Sequence, residues 1–385
     1  MRLLDPLFTT DRMREIFSDA NRLQRMLDFE VALARSLVRT GVAPAPSAPA
    51  IQAQCHAKFY SHEALAKSAA LAGNLAIPLV KELTALVAKS DPAAAGFVHL
   101  GATSQDAIER HRERLAETRR RVEVLQFGGA VGTLAALGKD GLRVAETLAG
   151  ELKLALPDLP WHAQRDRVTE VAATFGLLVG TLGKIARDIS LMSQTEIGEL
   201  DEPTAPGRGG SSTLPHKRNP IGCGVILAAA IRVPPLVSTM LTAMVQEHER
   251  GLGGWQAEWE TLPEICMLTS GALSHLSQIL AGLQINEAAM AENLHAAHGL
   301  MMAESVAMVL AKKIGRMPAH ELLERLSHQA INTGQAFRDV LLADAEISKH
   351  FSAADIDRLL DPRQYTGAAR DLIERVLVSS KKNSA

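Results

Sequence analysis

Residues 207–220 hold the chain's densest set of groups able to move protons and bind anions. Gly207, Gly209 and Gly210 let the backbone turn sharply and bring its N–H groups close to a ligand. Ser211, Ser212 and Thr213 supply hydroxyls for proton transfer. His216, Lys217 and Arg218 suit a polyanionic substrate. Asn219 followed by Pro220 reads as a helix start, with Asn at the N-cap and Pro in the first turn, and a helix N-terminus itself favours anions. The chemistry implied is proton transfer on an anionic substrate. On composition alone, the same residues equally describe a solvated Gly/Pro loop.

Two further stretches carry candidate groups. At 99–106, His99, Thr103, Ser104 and Asp106 surround a predicted helix start, and read alone they form a turn with a Ser/Thr cap. At 246–250, Glu249 is a candidate charge partner and Arg250 a candidate cation, although a solvated helix end would have the same composition. Trp255 and Trp259 read as packing residues. Other chemistries do not fit. The residue after Lys217 is Arg, where a phosphate-binding P-loop requires Ser or Thr. His295 and His298 lack nearby acidic support, and no metal or cofactor is expected.

The elements that must position these groups are helical. Hydrophobic residues make up 47% of the 385 and aromatics only 4%, so the core is built from Ala, Leu, Val and Ile. Apolar positions recur every three or four residues over 18–41, between a Ser18 cap and a Gly41 stop. A longer stripe, Val168, Val171, Phe175, Leu178, Leu182, Ile185, Ile189 and Met192, predicts a helix over 166–198 that is apolar nearly all round and therefore buried. Another helix should follow Pro220, bend at Pro234–Pro235 and reach about Arg250. A short hairpin is expected at 197–202 and a frayed tail at 379–385. The fold class is all-α, a long-helix bundle in three parts: 1–98, 99–279 and 280–385.

A net charge of −2 argues against nucleic-acid or membrane-surface partners. Cys55, Cys223 and Cys266 are widely spaced, as expected of reduced thiols. The charged N-terminus does not read as a signal peptide. The apolar run at 225–231 is stopped by Arg232, so no span of about 18 residues is expected and the protein is placed in the cytoplasm.

The loop at 207–220 resembles the signature of the fumarase/aspartase superfamily, Gly-Ser-Ser-x-Met-Pro-x-Lys-x-Asn-Pro, with Leu214 in place of Met. Three more stretches resemble that superfamily's lactonizing branch: 125–134, 160–167, and 246–250 running on to Trp255 and 259–263. The resemblance spans nearly the whole chain. It implies homotetramers acting without metal or cofactor on a small tricarboxylate, through lactone closure on a carboxylated muconate in protocatechuate breakdown. By superfamily position it makes Ser211 the proton-transfer residue. Lys217 stabilises the developing enediolate, and Glu249 stands as a charge partner. Thr103, Ser104 and His99 fall in the carboxylate-binding block, and Ser212, His216, Asn219 and Arg250 complete the substrate-binding set.

The chain departs from that pattern after Asp106. The superfamily has roughly two further helical passes there and a Gly-Arg-Thr loop that contributes to the site, and both are missing here. Two alternatives therefore stand beside the lactonizing reading. One is a β-eliminating lyase of the adenylosuccinate or argininosuccinate type. The other is an assembly protein that keeps the fold without the catalysis.

Overall fold

The computed structural model describes residues 15, 18–72, 75–98, 109–203 and 218–382. They form two compact units, the first from 1–105, 303–332 and 343–356 and the second from the rest.

The first unit opens with α1 (Asp19–Arg39), α2 (Ser47–Gln54), α3 (His62–Ala72), α4 (Ala76–Ser90) and a 3₁₀ turn at Ala94–Phe97. As expected from the sequence, the Ser18 hydroxyl caps α1, accepting the Asn21 N–H at 3.2 Å. Leu23, Leu27 and Ala34 then point into a core with Ile51, Leu79, Leu83 and Val87.

The second unit holds α5 (Glu109–Val122), α6 (Gly141–Leu152), α7 (Asp166–Met192), β1 (Leu200–Asp201), α8 (Ile221–Ala243), α9 (Gly254–Ala281), β2 (Gln284–Ile285) and α10 (Glu287–Ala296). The chain then forms α11 (Ala303–Ile314) and α12 (Arg316–Thr333) in the first unit, and α13 (Phe337–Ala343) in the second. It ends through the short α14 (Ala345–His350) and α15 (Ala353–Leu359) and the C-terminal α16 (Ala369–Lys382). The all-α class holds. Regular strand among the described residues is confined to the β1–β2 pair, Leu200 opposite Ile285 and Asp201 opposite Gln284.

The core of the second unit is the seam between α7, α8 and α9. Leu178, Val179, Leu182, Ala186 and Ile189 meet Cys223, Ile226, Ala229, Val233 and Met240, closed by Ile265, Ala272, Leu276 and Ile279. Glycines set the α7–α8 spacing. A Cβ on Gly183 would lie 2.6 Å from the Ala230 Cβ, and one on Gly176 would lie 3.1 Å from the Val237 Cγ2. The seam with α5 is polar instead. His111 Nε2 and Thr181 Oγ1 are 2.7 Å apart, Thr118 and Thr174 hydroxyls 3.1 Å apart, and Arg121 pairs with Glu170.

Several expectations are corrected. The stripe helix ends at Met192 and α8 ends at Ala243, each followed by a turn. In place of the expected hairpin, Leu200–Asp201 pairs with the distant Gln284–Ile285. The tail continues as helix to Lys382. By length and apolarity α7 and α8 could each cross a membrane, with mean hydropathies of 1.3 and 1.8, since one Arg232 does not lower an otherwise apolar window enough. Both helices are committed to the helix seam, but part of their apolar surface stays exposed, including Leu177, Leu191, Ile231 and Leu241.

The glycine contacts give a testable sign. Alanine is the better helix former by about 1 kcal/mol, yet Gly183→Ala must push α7 off α8. It is expected to destabilise by about 1–3 kcal/mol, while Gly180→Ala, with open space around its Cβ, should be neutral or stabilising. Denaturant unfolding of the two variants checks this.

Candidate active site

The described members of the predicted set fall at opposite ends of α8, Asn219 just before its start and Glu249 and Arg250 beyond its last turn. Of the predicted site residues, Asn219, Glu249 and Arg250 lie among the described residues; Ser211, Ser212, His216, Lys217, His99, Thr103 and Ser104 lie outside them.

Asn219 is not the N-cap of α8. Pro220 takes that position and has no side chain able to cap. The carboxylate of Glu202 does the work instead: it accepts the Gly222 N–H at 3.1 Å and the Cys223 N–H at 2.7 Å. Burial first, then Glu202, pushes the Cys223 thiol up to about 12 and keeps it protonated.

Arg250 and Glu249 sit on the turn between α8 and α9. The turn bends through His248 at φ +47° and Gly253 at φ +88°. A Cβ on Gly251 would fall 2.6 Å from the Gln246 Cδ, so a side chain there would push the Gln246 amide aside. Arg250 reaches across to the 125–134 loop, donating from Nε to the Ala130 carbonyl at 3.1 Å and from Nη2 to the Gly129 carbonyl at 3.2 Å. It also lies over the Trp255 ring at 5.9 Å. No carboxylate among the described residues pairs with it, so its charge is held in place without being neutralised. The Glu249 Oε2 lies 3.4 Å from where a Cβ on Gly132 would be, which puts this acid beside the same loop. The loop is anchored by Trp161, whose indole N–H donates to the Leu125 carbonyl at 2.9 Å and whose backbone N–H donates to Gln126 Oε1 at 2.7 Å.

Beneath this rim is a group of residues that the sequence reading did not assemble. Arg165, at the start of α7, forms a two-pronged pair with Glu258 on α9, with Nε 2.9 Å from Oε1. Side-chain exposures of 10% and 5% make it a buried ion pair. Arg165 also donates to the His162 carbonyl at 3.2 Å, and the Gln246 amide reaches Glu258 at 3.4 Å. His162 stacks edge-on to Trp255 (4.8 Å between centroids), and Trp255 edge-on to Trp259 (5.2 Å). His162 Nε2 and Gln246 Oε1 are buried without a hydrogen-bond partner. A signal for Glu258 exists in the sequence: it shares the three–four spacing of the buried stripe Thr261, Ile265, Thr269, Ala272, Leu276. A carboxylate on such a stripe requires a cation opposite. Trp255 packs edge-on between His162 and Trp259, while Trp259 itself is 56% exposed.

Among the described residues, then, one end of the bundle presents an unneutralised guanidinium, an acid and aromatic faces on rigid turns. That arrangement suits a carboxylate-bearing ligand. A lyase family matches residues 106–234, and the adenylosuccinate lyase C-terminus family matches 299–376. The chain is 47% identical to the 3-carboxy-cis,cis-muconate cycloisomerase of Pseudomonas aeruginosa, over 98% of this chain and 96% of that protein. It is 45% identical to the enzyme of the same name from Pseudomonas putida, over 92% and 99%. The chain belongs to the 3-carboxy-cis,cis-muconate cycloisomerase family. A crystal structure of the lactonizing enzyme from Pseudomonas putida superposes with a TM-score of 0.67 at 44% identity, covering 100% of both chains. The alignment to the Pseudomonas aeruginosa cycloisomerase runs over 439 positions against 385 residues here, so that relative carries residues with no counterpart in this chain. The lyase family match begins at residue 106, where the sequence departs from the superfamily pattern.

Two outcomes follow from the buried groups. Glu258→Ala leaves the Arg165 charge buried and alone, and should cost about 3–5 kcal/mol, whereas Arg165→Met combined with Glu258→Leu should recover most of that loss; urea midpoints of the three variants decide it. His162 is held below the ordinary histidine range by burial and then by Arg250 and Arg165, partly offset by Glu258, and His111 is held down by burial and Arg114. A histidine depressed in the fold is protonated more readily when unfolded. It therefore costs nothing above the ordinary pKa of about 6.5 and destabilises the fold as pH falls below it. The thermal midpoint should drop between pH 7 and 5, and His162→Gln or His111→Gln should flatten that slope.

Proposed function

We propose that this chain is a cycloisomerase converting 3-carboxy-cis,cis-muconate to 4-carboxymuconolactone. The observation that carries the reading is near-full-length similarity to cycloisomerases of that name. The β-eliminating lyase is not favoured, and loss of catalysis is argued against by the intact Ser211, Lys217 and Asn219 in the sequence.

In the reaction a carboxylate oxygen adds to the conjugated double bond, forming the C–O bond as the π bond is consumed, and a proton joins the adjacent carbon. No co-reactant is needed. Charge develops on another carboxylate as an enediolate. Preorganised donors aimed at such a charge are each worth about 10²–10³ in rate. Lys217 and the loop amides supply them, and Ser211, its oxyanion stabilised by the same groups, transfers the proton. Thr103 and Ser104, with His99 beside them, hold a substrate carboxylate. Arg250, one α8 length away within a chain, offers a second cation where a partner copy brings it to the substrate, its fork already oriented by the Gly129 and Ala130 carbonyls. Glu249 partners the charge; Ser212, His216 and Asn219 line the binding set. The division into 1–98, 99–279 and 280–385 belongs to the same reading.

The exposed apolar positions of α7 and α8 support a homotetramer in which partner copies cover them, and the cytoplasm is inferred from the bacterial metabolic enzymes the chain resembles. The segment missing relative to the Pseudomonas aeruginosa cycloisomerase should lower turnover more than binding, because what is lost acts on the reacting centre.

The test is ultraviolet loss of the substrate diene, with native mass measured alongside. Ser211→Ala should cut kcat by about 10³ with circular dichroism unchanged, and Ser212→Ala by far less. Equal small effects from both variants would sink the assignment of the proton transfer. A stable monomer at micromolar concentration would sink the tetramer.

A further inference from the structure

We infer that Glu202 is a positioning residue for the reaction, its carboxylate clamping together the two ends of the loop that carries Ser211 and Lys217. The inference rests on the reading that this loop performs the chemistry.

The clamp is built from described residues on both sides. Upstream, the chain reaches Glu202 along β1, which is fixed by pairing to β2. The Glu199 carbonyl accepts the Asn286 N–H at 2.9 Å. Pro203 is seated against Gly282, where a Cβ would lie 2.7 Å from the Pro203 Cβ. Downstream, both oxygens of the buried Glu202 carboxylate are spent on the first turn of α8, Oε2 on the Gly222 N–H and Oε1 on the Cys223 N–H. A negative charge there satisfies orphan N–H groups and complements the helix dipole.

Two consequences bear on catalysis. First, the N-terminus of α8 already holds an internal carboxylate, so it does not serve as the substrate's anion site. Stabilisation of the enediolate falls to Lys217 and the loop's own amides. Second, the cost of bringing the loop ends together is met in the folded ground state, so the loop starts and ends at fixed points whether or not substrate is bound. Misplacing a reacting group by about 1 Å can cost 10²-fold in rate. Substrate affinity draws in part on groups outside the loop, Thr103, Ser104 and Arg250, and should suffer less than turnover.

Glu202→Gln is the sharp test. It keeps the volume but replaces one acceptor with an NH₂ that faces a backbone N–H. The expected result is a fall in kcat of about 10- to 100-fold, a smaller change in KM, and unchanged circular dichroism and native mass. Glu202→Asp, which keeps the charge on a shorter stem, should fall between. A readout independent of turnover is amide hydrogen exchange of peptides covering 204–217, expected to speed up in Glu202→Gln while α7 peptides stay as they were. Loop exchange and kcat both at wild-type level would overturn the clamp. So would a kcat loss that only tracks the folded fraction. Ser211→Ala run in parallel separates the two failures. If it abolishes turnover while Glu202→Gln does nothing, the clamp alone falls; if it leaves kcat intact, the reading of the loop falls and takes the clamp with it.

Discussion

The Arg165–Glu258 pair is the constraint on which the site end of the second unit depends. It ties the first turn of α7 to the first turns of α9. Arg165 follows the 160–164 stretch that carries Trp161 and His162, and Glu258 follows the turn that carries Glu249 and Arg250. The pair therefore sets the distance between two loops that neither helix packing nor loop composition would fix. Its cost is the desolvation of two charges, and a well-packed apolar substitute would often be as stable. Its value lies in orientation: a bidentate fork has one geometry, whereas leucines facing each other have several.

Charge is spent in the same way at the start of α8. The chain fills the dipole of that helix with Glu202 and gives Arg250 only carbonyls and an aromatic face as partners. At one end of α8 the helix start is already satisfied, and at the other, about 34 Å away along a 23-residue helix, Arg250 faces an arriving anion with no carboxylate partner among the described residues. Among the described residues this leaves Arg250, on the turn, as the cation placed to meet a carboxylate.

Much of this was legible in the sequence. The long apolar stripes gave the all-α class, and Ser18 marked the start of α1 because a side-chain cap is a local device. The stops were harder to read. Turns at 193–198 and 244–253 interrupt helical periodicity without Pro, through Gly198, His248 and Gly253 at positive φ. Asn219 looked like a cap because Asn-Pro is a local pattern, but the cap came from Glu202, 20 residues upstream. Glu258 and Arg165, 93 positions apart, were each visible as charged residues. Only the long-range packing makes them a pair. Residues 99–104 and 211–217 carried the strongest chemical signal in the sequence, and their types, not their placement, support the reading of the site.

The shortened chain must also solve a surface problem. Leu177, Ile231, Leu241, Met267 and Leu273, on three adjacent helices, are exposed in the single chain, and α7 and α8 are apolar enough to suit a bilayer. A soluble enzyme that leaves such a surface open aggregates. The polar seam His111–Thr181, Thr118–Thr174 and Arg121–Glu170 lets the charged α5 cover one side of α7. It does so with hydroxyls and ion pairs, which contribute less per residue than a leucine seam would. In the homotetramer proposed above, copies of the same helices cover the remaining apolar faces of α7, α8 and α9. Assembly and folding are then one linked equilibrium, in which the stability of each chain rises with protein concentration.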